Sequence, residues 1–284
     1  MVCVVGIEPK TPTVSRWCSP TELHAHSFIG SFAPERGTRP NIAEALGGVK
    51  RLFSGPQRTC GGRLASVEAA LMEQTTTIEE VLRMPSPAPR PQALACSGDQ
   101  LWMGSWETDR IYGIDRAHFT VFEERPAPGK PVSLCPVGEE LRGIMSEGGE
   151  EDHRFIRRYV PGHGFKVHDK IQCPDDTGSF LAYDGTSLWL SQRYNKRILL
   201  LGPNAEVRRE IHAAGQILGM CYADGELYAS LWFGKDGGPK IGRVNGDRVD
   251  VVASLPYAAV SLAYDGRRFW CNEPKSTSII AFTF

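Results

Sequence analysis

The chain has 284 residues, 41% of them apolar and 9% aromatic, enough for one large globular core or two small ones. Thirty-two basic against thirty-three acidic residues give a net charge of -1, so no global field points to nucleic acid or to an anionic membrane surface. No apolar run approaches the roughly 20 residues that span a bilayer. Residues 1–7 lack a basic leader and are followed at once by Glu8, Lys10 and Arg16, so a secretory signal is not expected and the chain reads as cytoplasmic.

Residues 1–71 form a part with its own texture. Pro9, Pro12, Pro20, Pro34, Pro40 and Pro56 interrupt every candidate element, and only residues 41–52 and 64–72 have short helical patterns. The segment carries eight basic and five acidic residues, net +3, against net -4 for the rest. Three readings stay open: a flexible basic extension, a stretch translated from a start upstream of a natural Met72, or a folded partner-binding arm. The pair His24 and His26 has the spacing of a weak metal motif and nothing around it to strengthen it. Eight cysteines without CxxC spacing, in a chain without a signal, read as free thiols, and Cys135 and Cys221 fall inside apolar runs.

Residues 76–84 (TTIEEVLRM) read as a strand with a proline-rich exit. Beyond it the chain repeats. Gly98, Gly138, Gly185, Gly225 and Gly266 stand 40, 47, 40 and 41 residues apart, each between a short apolar run and a second apolar or aromatic run. A period near forty with turn signals is the mark of stacked supersecondary units, and with strands the outcome is a propeller blade per repeat. First strands end at Cys96, Cys135, Tyr183, Tyr222 and Tyr264, and second strands carry Trp102, Trp189 and Trp270 at equivalent, core-facing places. Asp184-Gly185, Asp224-Gly225 and Asp265-Gly266 are hairpin signals. Third strands start near Arg110, Arg154, Arg197, Lys240 and Ser278, and fourth strands follow at residues 119–122, 165–171, 207–211 and 249–255.

The last unit stops at Phe284 after three strands, which leaves an unpaired edge. Residues 76–84 supply the missing fourth strand if they pair with residues 279–282. The expected fold is therefore all-β: residues 72–284 form a five-bladed propeller of four-stranded antiparallel blades, closed by its N-terminal strand.

The pattern LAYDGxxLWxS…RIxxL over residues 76–284 resembles the blades of the NHL, virginiamycin B lyase and gluconolactonase-type propellers, although those usually have six or seven blades. Glutaminyl-peptide cyclotransferases of the plant and bacterial type look like five-bladed propellers, but their Phe-Thr-Gln-Gly-Leu and Glu-Ser-Thr-Gly segments are absent, so that activity is not expected. Virginiamycin B lyase-like propellers carry a Glu just after the second strand, and Ser146-Glu147 and Asn272-Glu273 are similar to that pattern.

In an up-and-down blade the loops between strands two and three gather at one mouth of the channel. Glu107, Glu147 and Glu273 lie there in three different blades, a set able to hold a divalent cation or to work as acid and base. Trp106, Tyr194 and Trp232 could stack on a ring or a peptide, and Arg193 could pair with a carboxylate or phosphate. His212 leaves a fourth strand as a candidate proton carrier, and the acidic run at residues 148–153 is a candidate lid or metal loop. P-loop, GxGxxG, HExxH and GxSxG motifs are absent. Three functions follow: a propeller that binds a small molecule or peptide at the channel mouth, a metal-assisted lyase or lactone hydrolase using Glu147, Glu273 and His212, or a protein-interaction scaffold. The composition supports neither a nucleic-acid nor a membrane partner.

Overall fold

The computed structural model describes residues 76–149 and 152–284, and the expectations for residues 1–71 lie outside them. After β1 (Thr76–Thr77) and β2 (Glu79–Pro85), the remaining strands fall into five groups. The first is β3 (Pro91–Ser97), β4 (Gln100–Ser105), β5 (Arg110–Asp115) and β6 (Val121–Pro126). The second is β7 (Lys130–Val137), β8 (Glu140–Glu147), β9 (His153–Val160) and β10 (Gly164–Gln172). Then come β11 (Phe180–Tyr183), β12 (Leu188–Gln192), β13 (Arg197–Leu201) and β14 (Val207–His212), followed by β15 (Gln216–Ala223), β16 (Glu226–Trp232), β17 (Pro239–Asn245) and β18 (Arg248–Ser254). The last group holds β19 (Val260–Tyr264), β20 (Phe269–Glu273) and β21 (Ser278–Thr283).

Each group is an antiparallel sheet in chain order, and β2 completes the fifth by pairing with β21, from Glu79 opposite Thr283 to Pro85 opposite Ser278. Innermost strands touch in sequence, β3 with β7, β7 with β11, β11 with β15, β15 with β19, and β19 with β3. The ring is closed, and the fold is a five-bladed β-propeller. One detail differs from the single strand expected at residues 76–84. Thr76 and Thr77 lie parallel to β18 of blade four, opposite Ala253 and Ser254, and Ile78 enters the apolar seam between blades four and five before β2 begins. The fourth strand of blade one also starts later than expected, at Val121, because Phe119 has a φ of +55° and its amide closes a turn onto the Asp115 carbonyl.

The core is five seams between blades. Alternation along a strand sends neighbours to opposite faces, so Leu101 and Met103 of β4 pack toward blade five while Trp102 packs toward blade two. Serine hydroxyls join the inner strands where no ladder bond runs: Ser261 Oγ accepts the Leu94 amide at 3.0 Å and Ser133 Oγ accepts the Leu181 amide at 2.9 Å. Glycine permits the closest approach. A Cβ on Gly219 would stand 2.5 Å from the carbonyl carbon of Ser261 in the next blade. Five described cysteines, Cys96, Cys135, Cys173, Cys221 and Cys271, are buried free thiols. Among the described residues no helix is long and apolar enough to cross a membrane.

Candidate functional site

The two ends of the ring are built differently. One end, the loop end, carries the connections between strands two and three; the other, the turn end, carries the turns between strands one and two. At the loop end, three blades share one device. Loops 106–109, 193–196 and 274–277 each finish on a residue with φ of +52°, Asp109, Lys196 or Thr277. The carbonyl of that residue accepts the amide that follows the blade's fourth strand, from Ala127 at 2.9 Å, Ala213 at 2.7 Å and Ser86 at 2.9 Å.

The residue that ends strand two caps the loop after it in each of these blades. Ser105 Oγ accepts the Thr108 amide at 3.2 Å, Gln192 Oε1 accepts from Asn195 at 2.9 Å, and the Glu273 carboxylate accepts the amides of Lys275 at 3.2 Å and Ser276 at 2.9 Å. Glu273 is buried, bonded to the Ser276 hydroxyl, with the Arg83 guanidinium 3.6 Å away. Its lone pairs hold its own loop.

Glu147 is occupied too. Arg157 donates to both of its oxygens at 2.8 Å and Lys170 donates at 3.2 Å. Burial acts to raise the Glu147 pKa, but the Arg157 bonds and then the Lys170 bond outweigh it and hold the carboxyl below its ordinary range. An acid–base group for neutral pH needs the opposite shift. His212 is largely exposed on outer strand β14, with Nε2 3.3 Å from Glu210, and Glu107 is exposed. Among the described residues no three His, Cys, Asp or Glu side chains gather at metal-binding distance.

The Glu147 shift has a measurable sign. A carboxylate with a depressed native pKa stabilises the fold above its unfolded pKa of about 4.3, and that contribution fades as pH falls through the lower native value. Urea midpoints are expected to be level from pH 8 to 5 and to fall below about pH 4, with the Glu147→Gln variant losing part of that acid dependence. Equal acid limbs for the two proteins rule out the assignment.

The aromatic candidates divide. Trp106 is half-buried against the blade two–three seam, with the Lys130 ammonium 5.6 Å and the Arg154 guanidinium 5.7 Å from its ring centre, so it caps a seam. Trp232 ends β16 half-buried, opposite Pro239 and Gln216, and Tyr194 is 70% exposed. Arg193 stands apart. Its amide donates to Ser179 Oγ at 3.0 Å, its guanidinium carbon lies 5.2 Å from the Tyr194 ring centre, and its Nε is buried with no hydrogen-bond partner. None of the described carboxylates pairs with it, and burial lowers its pKa. The acidic loop falls partly outside the described residues; its Asp152 accepts from Ser146 and Arg154, and His153 Nδ1 bonds Asp176, so these groups tie β8 and β9 to the chain entering blade three.

The turn end holds features that the sequence does not announce. A channel of about 50 Å³ on the ring axis is lined by the last residues of the inner strands, including Cys96, Cys135 and Cys221, with Tyr183, Tyr222 and Tyr264. Burial pushes the Cys135 thiol up to about 12 and raises those of Cys96 and Cys221 as well, so all three are neutral at physiological pH. Beside it, between blades two and three, lies a cleft of about 380 Å³. Equivalent Cys or Tyr residues ending successive first strands are the one sequence signal that points to this end.

No protein-family model and no curated protein matches the sequence. Solved structures do. The glutaminyl cyclase of Myxococcus xanthus superposes with a TM-score of 0.57 at 13% identity, over 73% of this chain and 96% of that one. The likeness is one of fold. A PQQ-bound aldose sugar dehydrogenase from Streptomyces coelicolor gives a TM-score of 0.50 at 14% identity, over 72% of this chain and 80% of the other. An inactive virginiamycin B lyase from Staphylococcus aureus, solved with quinupristin, gives 0.46 at 14% identity, over 71% and 83%. These neighbours are propeller enzymes of different chemistries, and propellers of one shape host unrelated functions.

Proposed function

We propose that this propeller binds a small anionic molecule, or the free carboxylate of a peptide, at the loop end of the ring, with Arg193 as its anchor. The observation that carries this reading is the buried Arg193 Nε with no partner. Leaving a buried charged donor unsatisfied costs on the order of 1–3 kcal/mol or more, and a carboxylate or phosphate would offset that cost through the planar guanidinium fork. Tyr194, exposed beside it, and half-buried Trp232 supply flat apolar surface for the body of such a ligand. The reading stops at binding, because Glu147 and Glu273 are engaged as structural partners.

Arg193→Met separates ligand binding from folding. Without ligand the variant is expected to be as stable as the parent, or more stable by about 1–3 kcal/mol, since a buried Nε with no partner is removed. Titration with benzoate, citrate and an acetylated tripeptide with a free C-terminus, followed by thermal shift, is expected to find an anion that stabilises the parent. Its affinity drops at least tenfold in Arg193→Met, and Trp232→Ala weakens it further. If all three anions act equally on parent and Arg193→Met, Arg193 is not the anchor.

A further inference from the structure

The cleft between blades two and three opens at the turn end, the opposite end of the ring from Arg193. Its apolar wall includes Ile156 and Ile171 from blade two and Leu188 and Leu201 from blade three. Its size falls within the range of about 300–1,000 Å³ that small ligands occupy. Two cations, Arg142 and Arg208, stand in the wall, and no carboxylate does. Each guanidinium contacts a glutamate outside the wall through one nitrogen: Arg142 Nη1 donates to Glu140 at 3.1 Å and Arg208 Nη2 donates to Glu206 at 3.2 Å.

Glu140 is shared between Arg142 and Arg158. Arg158 donates to both Glu140 oxygens, its Nε at 2.6 Å, and to Asp169 at 3.1 Å, whereas Arg142 makes the single bond to Glu140. The Arg158 bonds, ahead of those from Arg142, hold the Glu140 carboxyl at about 2, so it stays an acceptor and takes no proton from an incoming acid. Arg142 also sits across the β7–β8 pair from Cys135, which lines the axial channel, and Tyr183 lines both cavities. The cleft is therefore a side pocket of the turn-end mouth, apolar in its walls with two guanidiniums at its edge.

We propose that this cleft is a binding site for a monocarboxylate with an apolar body, its chain or ring against Ile156, Leu188 and Leu201 and its carboxylate between Arg142 and Arg208. Charge alone does not select the ligand, and neither does apolar area; the pairing of the two does. An uncharged analogue gains nothing from the guanidinium nitrogens that the two glutamates leave over, and a short acid leaves the wall wet.

Titration calorimetry of the full chain with octanoate, butyrate and 1-octanol tests the assignment. In the Arg193→Met protein, where the loop-end anchor is absent, octanoate is expected to bind saturably at one site, with butyrate and octanol at least tenfold weaker. Arg142→Met is expected to weaken octanoate at least tenfold, and Arg208→Met, on an exposed side chain, should weaken it severalfold even if Arg142→Met disturbs the blade. Leu188→Trp, which fills the cleft, should abolish this binding, and the effects of the cleft variants should be the same in the Arg193→Met background, where the loop-end anchor is absent. Octanoate that fails to saturate, that binds no better than octanol, or that depends on Arg193 and not on Arg142 and Arg208 overturns the proposal.

Discussion

A chain beginning at Ser86 is expected not to fold, whereas a chain beginning at Thr76 keeps the stability of the full-length protein. The difference is ten residues with three structural roles. Thr76 and Thr77 extend blade four along β18. Ile78, only 9% exposed, fills the seam between blades four and five, and burying one such side chain contributes about 1.5–3 kcal/mol. Strand β2 then covers the outer edge of β21, where Ile279, Ile280, Ala281 and Phe282 are wholly buried, and Leu82 packs on the blade five–one seam. Without β2 the ring has no covalent clasp, and β21 becomes an open, apolar edge of the kind that recruits other chains.

Several kcal/mol is a large part of a total stability of about 5–15 kcal/mol. The shorter chain is expected to lose its cooperative urea transition and to aggregate. A synthetic peptide of residues 76–85, added in trans, should restore the transition by strand addition. Matching urea midpoints for the two truncated chains would falsify the clasp.

The ring was legible in the sequence because it is periodic. Five turn glycines set the blade count, and the missing fourth strand after Phe284 pointed back to residues 76–84. What the pattern could not carry was which groups are already taken. Glu273 and Gln192 occupy equivalent places at the ends of β20 and β12 and both cap the following loop. A chain read as letters shows a lone acid at a rim; the loop amides that donate to it have no letters. Glu147 was similarly opaque, since Arg157 lies across the β8–β9 hairpin and Lys170 beyond a bulge in β10. Arg193 was the reverse case. Its type marked it as an anion ligand, but only burial without a partner distinguishes it from the many arginines paired on the surface.

The Asp-Gly pairs show how one motif splits into different roles. Asp224-Gly225 makes a two-residue turn with both φ values positive, +49° and +87°. In blades three and five the connection is four residues long, because Tyr183 pairs with Leu188 and Tyr264 with Phe269. There one oxygen of the aspartate accepts the amides of the turn, and the other accepts the indole N–H of the tryptophan five residues on. Asp184 receives Trp189 Nε1 at 2.9 Å, and Asp265 receives Trp270 Nε1 at 2.8 Å. Sequence alone placed these tryptophans in the core by their apolar spacing; the Asp-to-Trp interval of five carries the hydrogen bond as well.

Asp265→Ala is therefore expected to destabilise the propeller by about 2–4 kcal/mol, far beyond what a turn residue on a surface contributes. The side chain is 8% exposed, and the change strands the Trp270 indole, the amides of Arg267 and Arg268, and the Arg116 guanidinium 3.3 Å away. Blade one supplies the internal control. Ser97 stands five residues before Trp102, in the place of the aspartate, and Trp102 Nε1 is buried with no partner. Trp102→Phe and Trp270→Phe remove the same atoms from comparable seams, so the excess cost in blade five, about 1–3 kcal/mol, isolates the hydrogen bond and its orphaned carboxylate. The change Ser97→Asp reverses the comparison by offering Trp102 an acceptor, with an expected gain of about 0.5–1.5 kcal/mol in urea unfolding. Equal losses for the two Phe variants would show that the indole N–H contributes nothing in either blade, and that the aspartate acts only through the turn.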